Sequence, residues 1–261
     1  MKALAAMLTP LLLALGGCGS TGSGLVSFNA AAAGPADAVA GQPLVFTNGL
    51  GYQITLTRAT LHVGALYLNR SVPSSGSQAQ GCVLPGIYSG QVTVQLTVDA
   101  LSPEPQPFPA PGEGTADPVK TGEVWLFGGD PFGTADPTII VDVAGTGLQG
   151  ATVLPFTGQL TISQNRFVAP ANPALPGSNP LCKQRIVTPI PIDFTLAQGG
   201  TLLLRIDPRV WFANVDFAQI PIDPANPSSR KFLDLTQGQA DIALYAGVRS
   251  TGGYTFTWQS P

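Results

Sequence analysis

The sequence predicts a mostly β protein: an antiparallel β-sandwich or barrel-like domain with long Gly/Pro-rich loops and at most short helices. Three observations carry this. The 261 residues include 31 Gly and 25 Pro, which cost about 1 and 3 kcal/mol inside a helix. Several segments alternate apolar and polar residues with period 2, the spacing of a half-buried strand. Asp-Pro recurs at 117, 130, 136, 207 and 223, and Asn-Pro at 172, 179 and 226. An aspartate accepts a bond from the backbone two residues on while proline fixes the next φ, so these dipeptides start turns.

In chain order, 54–68 is the first long strand. Ile54 and Leu56 share one parity, Leu61 and Val63 the other, and Leu66 and Leu68 return to the first. A strand changes its core face only through a bulge or turn, so irregularities are expected near 58–60 and at Gly64. The clearest alternation runs over 90–101, where Val92, Val94, Leu96 and Val98 interleave with Thr93, Gln95, Thr97 and Asp99. One strand with an apolar and a wet face is expected there. Short strands are predicted at 124–127, 138–143, 160–162 and 201–206. Over 186–196, Ile186, Ile190, Ile192, Phe194 and Leu196 share a face while Pro189 and Pro191 share the other, which marks an edge strand. Residues 102–111 and 169–180 read as proline-rich loops, and 207–217 and 239–248 as short helices. Tyr254, Phe256 and Trp258 alternate with Thr255 and Thr257 after a Ser-Thr-Gly-Gly turn, as in the second arm of a hairpin with a buried aromatic face. Gly-Thr-Ala-Asp-Pro appears at 114–118 and 133–137, two similar turns rather than a repeat architecture.

The amino terminus carries Lys2, then an apolar stretch over 3–15, too short for a bilayer span of about 20 residues but suited to a secretory leader. Leu15-Gly16-Gly17-Cys18 follows, then Gly19-Ser20-Thr21-Gly22-Ser23-Gly24. This resembles the lipobox of bacterial lipoproteins. The resemblance implies removal of residues 1–17, acylation of Cys18 and a flexible tether over 18–24, with 25–261 as one all-β body. Gly19, where an aspartate would signal retention at the inner membrane, implies the outer membrane. Residues 207–217 (Asp-Pro-Arg-Val-Trp-Phe-Ala-Asn-Val-Asp-Phe) and 253–258 (Gly-Tyr-Thr-Phe-Thr-Trp) resemble uncharacterised surface lipoproteins of high-GC Gram-negative bacteria, which transfers no site.

Cys82 and Cys182 remain in the mature chain, and an even count outside the cytoplasm predicts one disulfide. A net charge of −3 provides no basic footprint for nucleic acid. His62 is the only histidine, so any triad must use it; inside an apolar stretch it reads as a hydrogen-bonded structural residue. Glu113, Asp117, Glu123, Asp130, Asp136 and Asp142 cluster among glycines, and Asp130, Asp136 and Asp142 form a candidate calcium site, since calcium takes oxygen ligands from such loops. No other cofactor is expected. A glycosidase needs two facing carboxylates, for which Glu104, Glu113 and Glu123 are the glutamates. Trp125, Trp211, Trp258, Tyr52, Tyr67, Tyr88, Tyr245 and Tyr254 would stack on sugar rings if exposed in a row, and otherwise fill the core. The expected function is therefore a non-catalytic binding module on the lipid-anchored envelope protein, with an envelope protein or extracellular ligand as partner. A polysaccharide hydrolase or a carbohydrate-binding module is the alternative.

Overall fold

The computed structural model describes residues 24–72, 88–133, 135–166 and 181–261. Among them the strands are β1 (Leu25–Ala33), β2 (Leu44–Thr47), β3 (Gln53–Val63), β4 (Ala65–Asn69), β5 (Tyr88–Val92), β6 (Leu96–Asp99), β7 (Gln106–Pro107), β8 (Gly112–Thr115), β9 (Pro118–Trp125), β10 (Ile139–Gln149), β11 (Thr152–Thr161), β12 (Ile186–Thr195), β13 (Thr201–Ile206), β14 (Ile222–Asp223), β15 (Asn226–Phe232) and β16 (Tyr254–Gln259). Two helices, α1 (Leu181–Gln184) and α2 (Gln239–Val248), complete the regular structure.

The strands form two sheets. One has nine strands in the order β12-β9-β4-β5-β8-β1-β13-β16, with β7 also on β1. The other has seven, β14-β15-β11-β10-β3-β2, with β6 also on β3. All neighbours are antiparallel except β1 with β13 and β11 with β15. The nine-stranded sheet curls into a nearly closed barrel: its terminal strands meet where Phe194 of β12 stacks on Trp258 of β16. One hydrophobic core, including Phe28, Leu56, Leu66, Val141, Leu204 and Phe212, fills the space between the sheets.

The parity changes over 54–68 have their physical causes. Opposite β10, Ala144 pairs with Arg58 and Gly145 with Leu56, so Thr57 is an extra residue that turns the following side chains over. At Gly64 the chain leaves the seven-stranded sheet and enters the nine-stranded one. Only glycine fits there, because an added Cβ would lie 2.4 Å from the Phe127 carbonyl oxygen.

Residues 90–101 do not form one strand. They divide into the end of β5 and β6, which lie in different sheets and are separated by 93–95. Val63 pairs with Leu96 in one sheet and Leu66 with Val92 in the other, so two antiparallel segments cross between the sheets side by side. The apolar parity of Val92, Val94, Leu96 and Val98 survives the crossing, which is why the alternation looks continuous.

The edge position of β12 holds: it pairs only with β9, with irregular register around Pro189 and Pro191. The final strand is not a hairpin arm. β16 pairs with β13 after an intervening helix and a 3-10 turn at Thr251–Gly253, though Tyr254 and Phe256 are buried as expected. Helix α2 occupies 239–248, whereas 207–217 yields only 3-10 turns at Val210–Phe212 and Phe217–Gln219. The strands expected at 124–127, 138–143 and 160–162 overlap longer ones, β9, β10 and β11, but 126–127, 138 and 162 lie outside them. The 169–180 loop lies outside the described residues, as does Thr134 of the second five-residue copy.

The Asx-Pro turns close as their chemistry predicts. Backbone N–H groups of Phe132, Thr138, Arg209 and Ala225 donate to Asp130, Asp136, Asp207 and Asp223 at 2.9, 3.0, 3.0 and 2.9 Å. Asp117 differs: it accepts from the Thr115 hydroxyl at 2.7 Å and faces Arg70 at 3.7 Å.

A candidate ligand groove on the outer face of the nine-stranded sheet

The side chains on the outer face follow from strand register. Ser27 of β1 pairs with Glu113 of β8, Glu113 with Gln91 of β5, Gln91 with Tyr67 of β4, and Tyr67 with Glu123 of β9. Side chains alternate across a sheet, so these five residues form one row while their neighbours Phe28, Val92, Leu66 and Val124 enter the core. The strands lie close because glycines meet inside: Gly90 pairs with Gly114, and an added Cβ at Gly114 would lie 2.3 Å from the Ser89 carbonyl oxygen.

A groove of about 610 Å³ runs along this face, lined by Leu25, Ser27, Tyr88, Gln91, Glu113 and Gln198 among others. That volume falls within the roughly 300–1,000 Å³ of small-ligand sites. Glu113 is the one carboxylate in the lining; no Lys, Arg or His contributes. Gln198 is held in place by the Ser27 backbone N–H, which donates to its Oε1 at 2.8 Å.

An aromatic wall bounds the row. Tyr88 packs on Tyr67 with ring centroids 5.0 Å apart, and Tyr67 on Trp125 at 4.8 Å, each pair tilted by about 50°. Phe127 and Phe132 meet Trp125 edge-on beyond them. Exposure is 37% at Tyr88, 5% at Trp125 and 52% at Phe132, so the wall is buried at its centre and open at both ends.

Beneath the wall lies Glu123, fully buried. Its Oε1 accepts from Asn69 Nδ2 at 2.9 Å and its Oε2 from Trp125 Nε1 at 2.8 Å. Burial pushes its pKa up, and the two hydrogen bonds offset this only in part. Burial, then the nearby Glu123 charge, raises the Tyr67 and Tyr88 hydroxyls. Among the described residues, Asn69 Oδ1 and Ser89 Oγ are buried without hydrogen-bond partners.

The structure does not bring the candidate calcium ligands together. Asp136 accepts from the backbone N–H groups of Gly128, Gly129 and Thr138 at 2.9, 3.2 and 3.0 Å. Burial pushes its pKa up, but a hydrogen bond from the Thr138 side chain, together with these backbone bonds, wins and pulls it down to about 2. Asp130 accepts from Phe132, while Asp142 pairs with Arg58 at 2.9 Å on the seven-stranded sheet. No group of three His, Cys, Asp or Glu able to hold a metal occurs among the described residues. The loop carrying Asp130 is organised instead by buried Arg185, whose Nη1 donates to the carbonyls of Asp130, Pro131 and Gly133.

The glutamates are also apart. Glu113 and Glu123 stand three strands from each other in the row, about 14 Å at 4.8 Å per strand, beyond the roughly 5–9.5 Å of glycosidase pairs. His62 lies on β3 with its ring nitrogens 2.9 Å from Thr97 Oγ1 and 3.2 Å from Gln95 Oε1, a structural histidine as expected. Trp211, Tyr52, Tyr245 and Tyr254 are buried. Cys182 is buried on α1; Cys82 and Cys18 lie outside the described residues. The groove residues Gln91, Ser27 and Leu25 escaped the sequence analysis, although Gln91 continues the wet parity of Gln95 and Thr97.

No family model, no curated protein and no solved structure matches this chain. Among the described residues, no helix is long and apolar enough to cross a membrane.

Proposed function

We propose that the chain is an envelope lipoprotein, acylated at Cys18 and held at the outer membrane, whose β body is a non-catalytic binding module. The observation that carries the binding reading is the groove beside the Tyr88–Tyr67–Trp125 wall. The acids support the non-catalytic part. Asp136 serves three backbone N–H groups, Asp142 serves Arg58, Asp207 and Asp37 clamp Arg209, and Asp234 holds Arg166.

The lipobox resemblance supports the anchor. Leu25, at the groove rim, is seven residues from Cys18, so a lipidated chain holds the groove at most about 25 Å from its anchor point. A Cys82–Cys182 disulfide belongs to the same proposal and is supported by the even cysteine count of the mature chain. Intact-mass measurement of native material tests both: the expected chain starts at an acylated Cys18 and is two hydrogens lighter than its reduced form.

The binding reading is tested with a photo-crosslinking residue in place of Gln91, compared with one in place of Gln159, which is exposed on the other sheet. An adduct specific to position 91 is expected. Equal adducts at both positions, or none, would overturn the reading.

One observation favours a hydrolase, namely that Glu123 has a raised pKa, as a general acid requires. Turnover of a polysaccharide panel that disappears in Glu123→Gln would establish that reading instead.

A further inference from the structure

We infer that the groove takes a neutral, extended oligosaccharide, an inference resting on the binding-module reading above. Ser27, Glu113 and Gln91 sit on adjacent strands, so their polar ends repeat at the inter-strand spacing of about 4.8 Å. That repeat is close to the advance of one sugar ring along an extended glycan. A strand-crossing row therefore offers each successive ring a hydrogen-bonding group.

The groups are available. Gln91 and Glu113 are exposed, and among the described residues no hydrogen bond or ion pair engages either side chain. An amide donates and accepts, and a carboxylate accepts in pairs; together they suit vicinal hydroxyls, which do both. Beyond Gln91 the row reaches Tyr67, and Tyr88, which packs on it and lines the groove, is 37% exposed. A partly exposed aromatic ring of this kind covers the apolar C–H face of a sugar.

Charge decides between glycan classes. The lining holds one carboxylate and no cation. A phosphate- or uronate-bearing chain would meet repulsion from Glu113 without any compensating Lys or Arg. A neutral chain meets no such cost. A hydrocarbon ligand would desolvate Glu113 and Gln91 without giving them partners.

The test is calorimetric titration of the full chain in detergent micelles with cellohexaose, maltohexaose and mannohexaose, and with hexagalacturonate as the charged counterpart. One neutral hexasaccharide is expected to bind while the galacturonate does not. Tyr88→Ala should weaken that binding about tenfold and Gln91→Ala severalfold, with Gln159→Ala unchanged. Neither groove residue lies in the core, so the melting temperature of each variant serves as the folding control. Absence of binding by every neutral chain, tighter binding of the galacturonate, or an unaltered affinity in Tyr88→Ala would each overturn the inference. The two proposals fail separately. A position-91 adduct with no neutral glycan bound leaves the binding module standing and removes the sugar, whereas glycan binding insensitive to Tyr88 and Gln91 places the ligand elsewhere on the body.

Discussion

Phe194 stacks on Trp258 with ring centroids 5.5 Å apart and planes 15° from parallel, joining the two terminal strands of the nine-stranded sheet where no backbone ladder does. Phe28 meets the same indole edge-on at 5.6 Å, so this seam also reaches the core. Trp258→Ala is expected to lose about 3 kcal/mol of stability. A double-mutant cycle with Phe194→Ala should return a coupling of about 0.5–1.5 kcal/mol. Denaturant titration of the four proteins measures both, and additive effects would show that the stack is incidental.

Gly64 is where the chain passes between sheets, and an added Cβ would also meet Phe127 Cδ1 at 2.7 Å. Gly64→Ala is expected to cost about 1–3 kcal/mol through forced displacement. Gly24→Ala, with nothing within 4 Å, should leave the melting temperature where it is.

Asn48 is buried and makes four bonds. Its Nδ2 donates to the Phe212 and Val215 carbonyls at 3.0 and 2.9 Å, and its Oδ1 accepts from the Leu50 and Tyr52 backbone N–H groups at 3.0 Å each. Asn48→Ala strands these partners and is expected to cost about 4 kcal/mol at roughly 1 kcal/mol per bond, read as a lower denaturation midpoint with an unchanged slope.

Asp136 makes stability depend on pH in acid. Its pKa is depressed from 3.8 to about 2, so its contribution is complete above pH 4 and is lost as pH falls toward 2. That contribution is of order 2 kcal/mol, and Asp136→Asn should flatten the acid limb accordingly. Because the carboxylate serves backbone donors rather than a cation, adding EDTA or millimolar calcium should not move the melting temperature; a calcium-dependent shift would restore the metal reading.

Glu123 acts in the opposite sense. Burial raises its folded pKa above 4.5, so the folded state holds the proton more tightly, and stability falls as pH rises from about 4.5 through the folded value. Glu123→Gln should match the native protein below pH 4 and exceed it increasingly at higher pH. Both hydrogen bonds can survive the change, because Asn69 has an unpartnered Oδ1 that turns over to meet the new amide N–H.

How much of this was legible in the sequence depended on whether parity changed. The bulge at Thr57 and the crossing at Gly64 flip the apolar face, and a flip is visible in a string of letters. The crossing at 93–95 keeps it, so β5 and β6 merged into one expected strand. β1 ends in Ala30–Ala33, which carries little strand propensity; its strand character comes from neighbours on both sides. β15, Asn-Pro-Ser-Ser-Arg-Lys-Phe, is too polar to alternate visibly. The groove combines residues from four separated segments, and only strand register places Ser27 beside Glu113 and Glu113 beside Gln91. Glu123 stood out as an acid, yet nothing local to it announced complete burial.

The paired crossings at Gly64 and 93–95 make both sheets hostage to the same two stretches of backbone. Neither layer can peel away alone, because the strands that would have to separate continue, one residue or a few residues later, into the other layer. Amide exchange in β10 and in β9 should therefore be governed by a single shared opening event, and a protease able to cut either layer would have to wait for the whole body to open.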